Sequence, residues 1–115
     1  MLKLLECNVT LMVTDMDKAI EFYTGILGFK LKNRYGDHWA GIEGPNLSIG
    51  LHPMGDKIKA GDNFQIALRV ENLDKAISEL STKGIHFKIQ DDTQLKLAFF
   101  NDPDGNVLYL TQTPG

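Results

Sequence analysis

The sequence predicts an α+β fold, with tandem βαβββ repeats forming two facing, curved mixed sheets around a central cleft. Three observations predict it. An eight-residue segment recurs without a gap half a chain later, each copy is flanked by short runs of strand-like residues, and glycine-, proline- and aspartate-rich breaks separate those runs.

The repeat carries most weight. Val13-Thr14-Asp15-Met16-Asp17-Lys18-Ala19-Ile20 matches Val70-Glu71-Asn72-Leu73-Asp74-Lys75-Ala76-Ile77, an offset of 70 − 13 = 57 residues. Gly28-Phe29-Lys30-Leu31 answers Gly84-Ile85-His86-Phe87 after a one-residue slip. A period this long, present twice, indicates a duplicated supersecondary unit, since solenoids stack several copies. The expected organisation is a single domain, 1–115, with repeat unit one at 1–53, a flexible linker at 54–62 and repeat unit two at 63–115. A chain of 115 residues suffices for one shared core and not for two independent ones.

Asn8 to Val13 alternates polar and apolar residues, as a half-buried strand does. Asp15 is positioned to cap the helix that follows, and Asp17 adds negative charge at its positive end. Met16, Ala19, Ile20, Tyr23 and Leu27 fall at helical spacing on one face, and Gly25 or Gly28 ends the helix. In the second copy Asn72 caps, Leu73, Ala76, Ile77 and Leu80 form the buried stripe, and Gly84 stops it. Three strands then follow each helix: Phe29–Tyr35, His38–Glu43 and Leu47–His52, and later His86–Gln90, Leu95–Phe100 and Asn106–Thr111. Gly36-Asp37, Gly44-Pro45-Asn46, Asp91-Asp92 and Asp102-Pro103-Asp104-Gly105 supply the turns.

Composition excludes several functions. Apolar residues make up 43% and charged residues 23%, and the net charge is −3, with the basic residues scattered, so no nucleic-acid footprint exists. No apolar run reaches the roughly 20 residues of a membrane span, and the N-terminus lacks a signal peptide's apolar stretch. A single cysteine, Cys7, allows no intrachain disulfide and fits a reducing, cytoplasmic setting; its expected role is a small buried hydrophobe. No phosphate-cradling loop, nucleophile elbow or CxxC pair is present.

The segment from Val13 to Phe29, read as Val-x-Asp-Met-Asp-Lys-Ala-x-x-Phe-Tyr…Leu-Gly-Phe, resembles the opening of the vicinal oxygen chelate superfamily. So does the closing Phe100-x-Asp102-Pro103-Asp104-Gly105-Asn106-x-Leu108-x-Leu110. That family includes glyoxalase I, extradiol dioxygenases, fosfomycin-resistance enzymes and bleomycin-resistance binding proteins. The resemblance implies a tandem βαβββ fold and, in the family's enzymes, one divalent metal held by residues on the first and last strands of each half. The positions that match those ligands here are Asn8, Gly50, Gln65 and Tyr109. Amides are weak neutral donors, a phenol carries no charge near neutral pH, and glycine offers nothing, so this set lacks the imidazoles and carboxylates such metals select. The expectation is therefore no metal cofactor, with a divalent metal at a displaced site as the alternative.

Without a metal the cleft becomes a binding cavity for a small organic molecule. By alternation its lining takes in Asn8, Thr10 and Met12, then Ser48, Gly50 and His52, with Gln65, Ala67, Arg69, Val107, Tyr109 and Thr111 from the second half. Arg69 either meets an acidic group of the ligand or forms a surface ion pair. Trp39 either stacks on a planar ligand or packs against the helix. Phe99 and Phe100 point to opposite faces, so one of them lines the cavity. His38 and His86 are expected at exposed and edge positions, and Glu43 as a solvated charge.

Three functions follow. The first is a metal-independent small-molecule binding protein resembling the bleomycin-resistance branch, which the resemblance makes a homodimer. The second is a lyase, isomerase or oxygenase using a displaced metal or His52 and Tyr109 as acid–base groups. The third is a domain whose cleft is filled by its own side chains.

Overall fold

The computed structural model describes Lys3, Leu5 and residues 7–54, 64–91 and 95–112. Two compact units divide the chain, Met1–Lys59 and Ala60–Gly115. The division falls inside the segment expected as the linker; residues 55–62 of that linker, and Asp92 of the Asp91-Asp92 turn, lie outside the described residues.

Unit one runs β1 (Val9–Val13), α1 (Met16–Ile20), a π-helical stretch (Glu21–Ile26), β2 (Lys30–Tyr35), β3 (Trp39–Gly44) and β4 (Leu47–Pro53). Its four-stranded sheet has the order β1-β4-β3-β2, with β1 parallel to β4 and the other pairs antiparallel. Unit two repeats the pattern: β5 (Ile66–Arg69), α2 (Leu73–Thr82), β6 (Lys88–Asp91), β7 (Lys96–Asn101) and β8 (Val107–Thr111), ordered β5-β8-β7-β6. The chain is thus α+β, two mixed sheets each with one helical segment. Both units place the first strand in parallel beside the last, which demands the helical crossover that the repeated Asp-Lys-Ala-Ile motif provides.

Capping follows the sequence closely. Asp15 Oδ1 accepts from the Lys18 amide at 3.1 Å, and Asn72 Oδ1 from the Lys75 amide at 3.0 Å. Gly28 and Gly84 take φ of +86° and +91° beyond the two helices, a region where a side chain is strained. At α2 the Ile85 and Gly84 amides donate to the Leu80 and Ser81 carbonyls at 3.1 Å each, closing the Schellman arrangement. Gly25 does not end the first helix; it lies within the π-helical stretch. That stretch also alters the buried stripe. The wider turn brings Phe22 inward beside Tyr23, both buried, whereas Leu27 is left half-buried. Tyr23 is wholly buried and meets Phe22 and Phe29 edge-on, at ring separations of 5.2 and 5.6 Å.

Each core lies between a sheet and its helix: Leu11, Val13, Ala40, Ile42, Ile49 and Leu51 under α1, and Ile66, Ala98, Phe100, Leu108 and Leu110 under α2. Strand ends differ from expectation by one or two residues. Phe29, His38, His86, Leu95 and Asn106 stand just outside strands, while Gly44, Pro53, Asp91 and Asn101 fall inside them. The hairpin at 44–47 is tight because Asn46 adopts φ +61°, which asparagine tolerates.

The closing Asp-Pro-Asp-Gly segment is a structural turn. Buried Asp102 accepts from the Asp104 and Asn106 amides at 2.9 and 2.8 Å and from the Asn106 side chain at 2.7 Å. Its carboxylate replaces ladder partners that the turn removes.

Candidate functional site

The ladders decide which side chains share a face. In unit one Thr10 pairs with Gly50, Gly50 with Gly41, and Gly41 with Asn33, while Met12 pairs with His52 and Tyr35 with Trp39. Side chains alternate along a strand, so these residues occupy the face opposite the core. In unit two Ala67 pairs with Tyr109 and Arg69 with Thr111, on the corresponding face.

A recess of about 300 Å³ opens on that face of unit one. Asn8, Trp39, Ser48 and Gly50 line it together, as do Asn33, Tyr35 and Gly41. Trp39 is half-buried, on the parity of Gly41 and not of buried Ala40, so it is not packed against the helix. Its ring lies directly over Gly50: a Cβ built there would stand 2.7 Å from Cζ2 and 2.8 Å from Cζ3 and would overlap Cη2. Gly41 is roofed in turn by the Asn33 amide, whose Oδ1 accepts from the Gly41 N–H at 3.1 Å. Two facing glycines thus form a side-chain-free trough, and two neighbouring side chains lie in it.

Asn33 and Tyr35 reach this face because of a register shift in β2. Leu31 pairs with Ile42, but Asn33 pairs with Gly41, so two steps on β2 answer one on β3. Such a bulge inverts the parity of everything beyond it. The same inversion turns Arg34 towards α1, where its guanidinium donates to Asp17 and Asp37 at 2.7 and 2.9 Å. Hydrogen bonds to these two carboxylates raise the Arg34 pKa above its usual range. Simple alternation counted from Leu31 misses Asn33 and Tyr35. The readable signal was the pair of strand glycines, which marks a close approach.

Other predicted residues fall outside the recess. Thr10 and His52 share its face without lining it, and both are exposed. The His52 Nδ1–H donates to the Pro53 carbonyl at 2.7 Å, which leaves Nε2 as the acceptor of the neutral ring. Gln65, Arg69, Tyr109 and Thr111 belong to unit two, where Tyr109 stands 5.3 Å from the Phe99 ring and Thr111 is buried. Among the described residues no carboxylate pairs with exposed Arg69, whereas Glu43 meets Lys32 at 3.6 Å. Cys7 corrects an expectation: it is exposed and borders the recess, because β1 begins only at Val9 and the residues before it have no ladder to bury them. His38 is exposed, and His86 precedes edge strand β6.

The four positions that correspond to the resemblance's metal ligands do not fit a divalent cation. Asn8, Gln65 and Tyr109 bring no formal charge to offset the loss of hydration, and the space above Gly50 is held by an indole. Among the described residues, no three His, Cys, Asp or Glu side chains gather where a metal could sit. No helix among them is long and apolar enough to cross a membrane.

Residues 7–110 match the model of the Glyoxalase/Bleomycin resistance protein/Dioxygenase superfamily. The chain belongs to this superfamily. A probable lactoylglutathione lyase from Synechocystis is 35% identical over 118 aligned residues, covering 88% of this chain and 89% of that protein. An antibiotic binding protein from Streptomyces, TnmS3, is 26% identical in its crystal structure, with a TM-score of 0.71 over 97% of this chain and all of that one. The fosfomycin resistance protein FosX from Listeria monocytogenes superposes with a TM-score of 0.79 over 99% of this chain and 94% of its own, at 18% identity, a likeness of fold. Proteins named for different functions thus share this fold, so the fold does not choose among those functions.

Proposed function

We propose that this glyoxalase-superfamily chain is a metal-independent binding protein for a small, planar organic molecule, cytoplasmic and homodimeric. The observation that carries this is Trp39 lying over Gly50. The position from which a metal-binding carboxylate would project holds no side chain, and an aromatic face takes its place. Aromatic surface with a few amides and hydroxyls around it is the usual make-up of an organic-ligand site. Asn8, Asn33, Tyr35 and Ser48 supply those polar groups at the edge of the same recess. The likeness to the Streptomyces antibiotic binding protein supports the same reading.

A second reading has an observation of its own, the 35% identity to a probable lactoylglutathione lyase. In that reading a displaced metal, or His52 and Tyr109 as acid and base, performs an isomerisation or lysis. One experiment separates the two. Isothermal titration of chelator-treated protein with Zn²⁺, Ni²⁺, Mn²⁺ and Fe²⁺ is expected to give no stoichiometric heat, while Trp39 emission is expected to respond saturably to members of a panel of planar antibiotics and metabolites. Tight one-to-one metal binding that disappears in His52→Ala would establish the enzyme reading instead. A silent Trp39 across the panel would refute the binding role.

A further inference from the structure

Unit two carries a second and larger recess, of about 710 Å³, within the size range of ligand pockets. It lies along edge strand β6; half-buried Phe99 shares the face of Lys88 there, whereas Phe100, of the opposite parity, is buried in the core. Half-buried Phe99 and Val107, on one face of the ladder, make its apolar wall, and Phe87 borders it. Phe87 and Phe100 meet edge-on at 5.3 Å, an arrangement that fixes both.

The charge of this recess is one-sided. Lys88 and His86 line it, together with the amides of Gln90 and Asn101, and no Asp or Glu does. Lys88 stands directly across the ladder from Phe99, and residues paired in this way have Cβ atoms about 5 Å apart. Its side chain therefore leaves the strand beside the Phe99 side chain. Among the described residues Lys88 has no carboxylate partner, whereas Lys32, which borders the unit-one recess, is held by Glu43 at 3.6 Å. An apolar wall next to a cation that has no carboxylate partner among the described residues selects a molecule with a flat hydrophobic body and a negative group at one end.

We propose that this recess is a binding site for planar aromatic anions, aryl carboxylates or sulfonates, with the ring against Phe99 and the acid group on Lys88. It lies on the other unit from the Trp39 recess, and neither reading depends on the other.

The test uses the full chain and two probes of one shape, naphthoate and its neutral amide, naphthamide, followed by backbone amide NMR. Naphthoate is expected to bind saturably, to shift the amides of Lys88, Phe99, Asn101 and Val107, and to bind about tenfold more tightly than naphthamide, the worth of one charge-assisted contact. Lys88→Met, at an exposed position, is expected to abolish that preference while naphthamide binding persists. High salt is expected to erode the preference in the parent. Shifts confined to Trp39, Gly50 and Asn33 would overturn the proposal, as would a preference that survives Lys88→Met or an absence of saturable binding. Because Trp39 emission reports the first recess and these amides the second, failure of either reading leaves the other standing.

Discussion

Gly50→Ala adds one methyl group where a ring already lies. The three heavy atoms nearest to the new Cβ all belong to the far edge of the Trp39 indole, with Cζ2 at 2.7 Å and Cζ3 at 2.8 Å, so the ring must swing while the backbone stays. Overpacking of this kind costs about 1–3 kcal/mol. Trp39 is half-buried and has solvent on one side to move into, which puts the expected loss near the lower end, about 1 kcal/mol. With a urea slope of roughly 1.5 kcal/mol per molar, the midpoint falls by ~0.7 M, and Trp39 emission shifts to the red as the ring enters water.

The same substitution in a Trp39→Ala background meets no ring. There the strand's preference for alanine over glycine remains, worth roughly 0.5–1 kcal/mol in the stabilising direction. The sign of Gly50→Ala therefore reverses between backgrounds, a coupling of about 1.5–2 kcal/mol that a double-mutant cycle reads directly. Far-UV circular dichroism follows all four proteins, since two of them lack tryptophan. If Gly50→Ala is neutral in the parent, or costs the same in both backgrounds, then the indole does not occupy the glycine trough, and the binding reading loses its main support.

Three further outcomes are expected. Gly28→Ala and Gly84→Ala each lose about 1 kcal/mol by urea denaturation although open space surrounds both sites, because the penalty is the left-handed backbone and not a clash. Asp102→Ala loses about 2–3 kcal/mol by the same measurement, since it strips a buried turn of the carboxylate that three donors share; Asp102→Asn, which keeps one acceptor oxygen, loses less. Lys96→Met lowers the melting temperature at low ionic strength. The hydrogen bond from Lys96 to Asp74 raises the lysine pKa, so its contribution is complete below the ordinary lysine range and is lost as pH rises beyond the raised value. The gap between parent and variant is therefore expected to close both in high salt and in strong alkali.

How much of this was legible beforehand depends on whether a feature is periodic. The duplicated motif fixed two helices, their caps at Asp15 and Asn72, and their stops at Gly28 and Gly84, because those rest on local chemistry that each copy states separately. The partition of β4 and β8 into two faces was equally readable: Gly50 and His52 do share one face, as Tyr109 and Thr111 do in the other unit. Insertions were not readable. The π-helical stretch changes which residues of Phe22 to Leu27 are buried, and the bulge at Leu31 to Asn33 inverts the second half of β2. Each adds one residue to a ladder, and its cause is a packing optimum among distant side chains, which counting along the chain does not contain.

The bulge and the glycine trough form one device. Inverting β2 turns Arg34 onto Asp17 beside the helix and, by the same step, turns Asn33 and Tyr35 onto the open face. Asn33 then roofs Gly41 and Trp39 roofs Gly50, so the two glycines are needed for the roof to sit low, and the roof is needed to cover backbone that the glycines expose. Deleting the bulged residue Lys32 joins Leu31 to Asn33 and leaves Leu31 opposite Ile42 and Asn33 opposite Gly41 in one unbroken ladder, so the deletion is expected to keep Asn33, Arg34 and Tyr35 on their present faces and Trp39 emission unchanged. Water-like Trp39 emission in a folded deletion variant would show that the bulge itself, and not the facing of Asn33 and Tyr35, holds the roof in place.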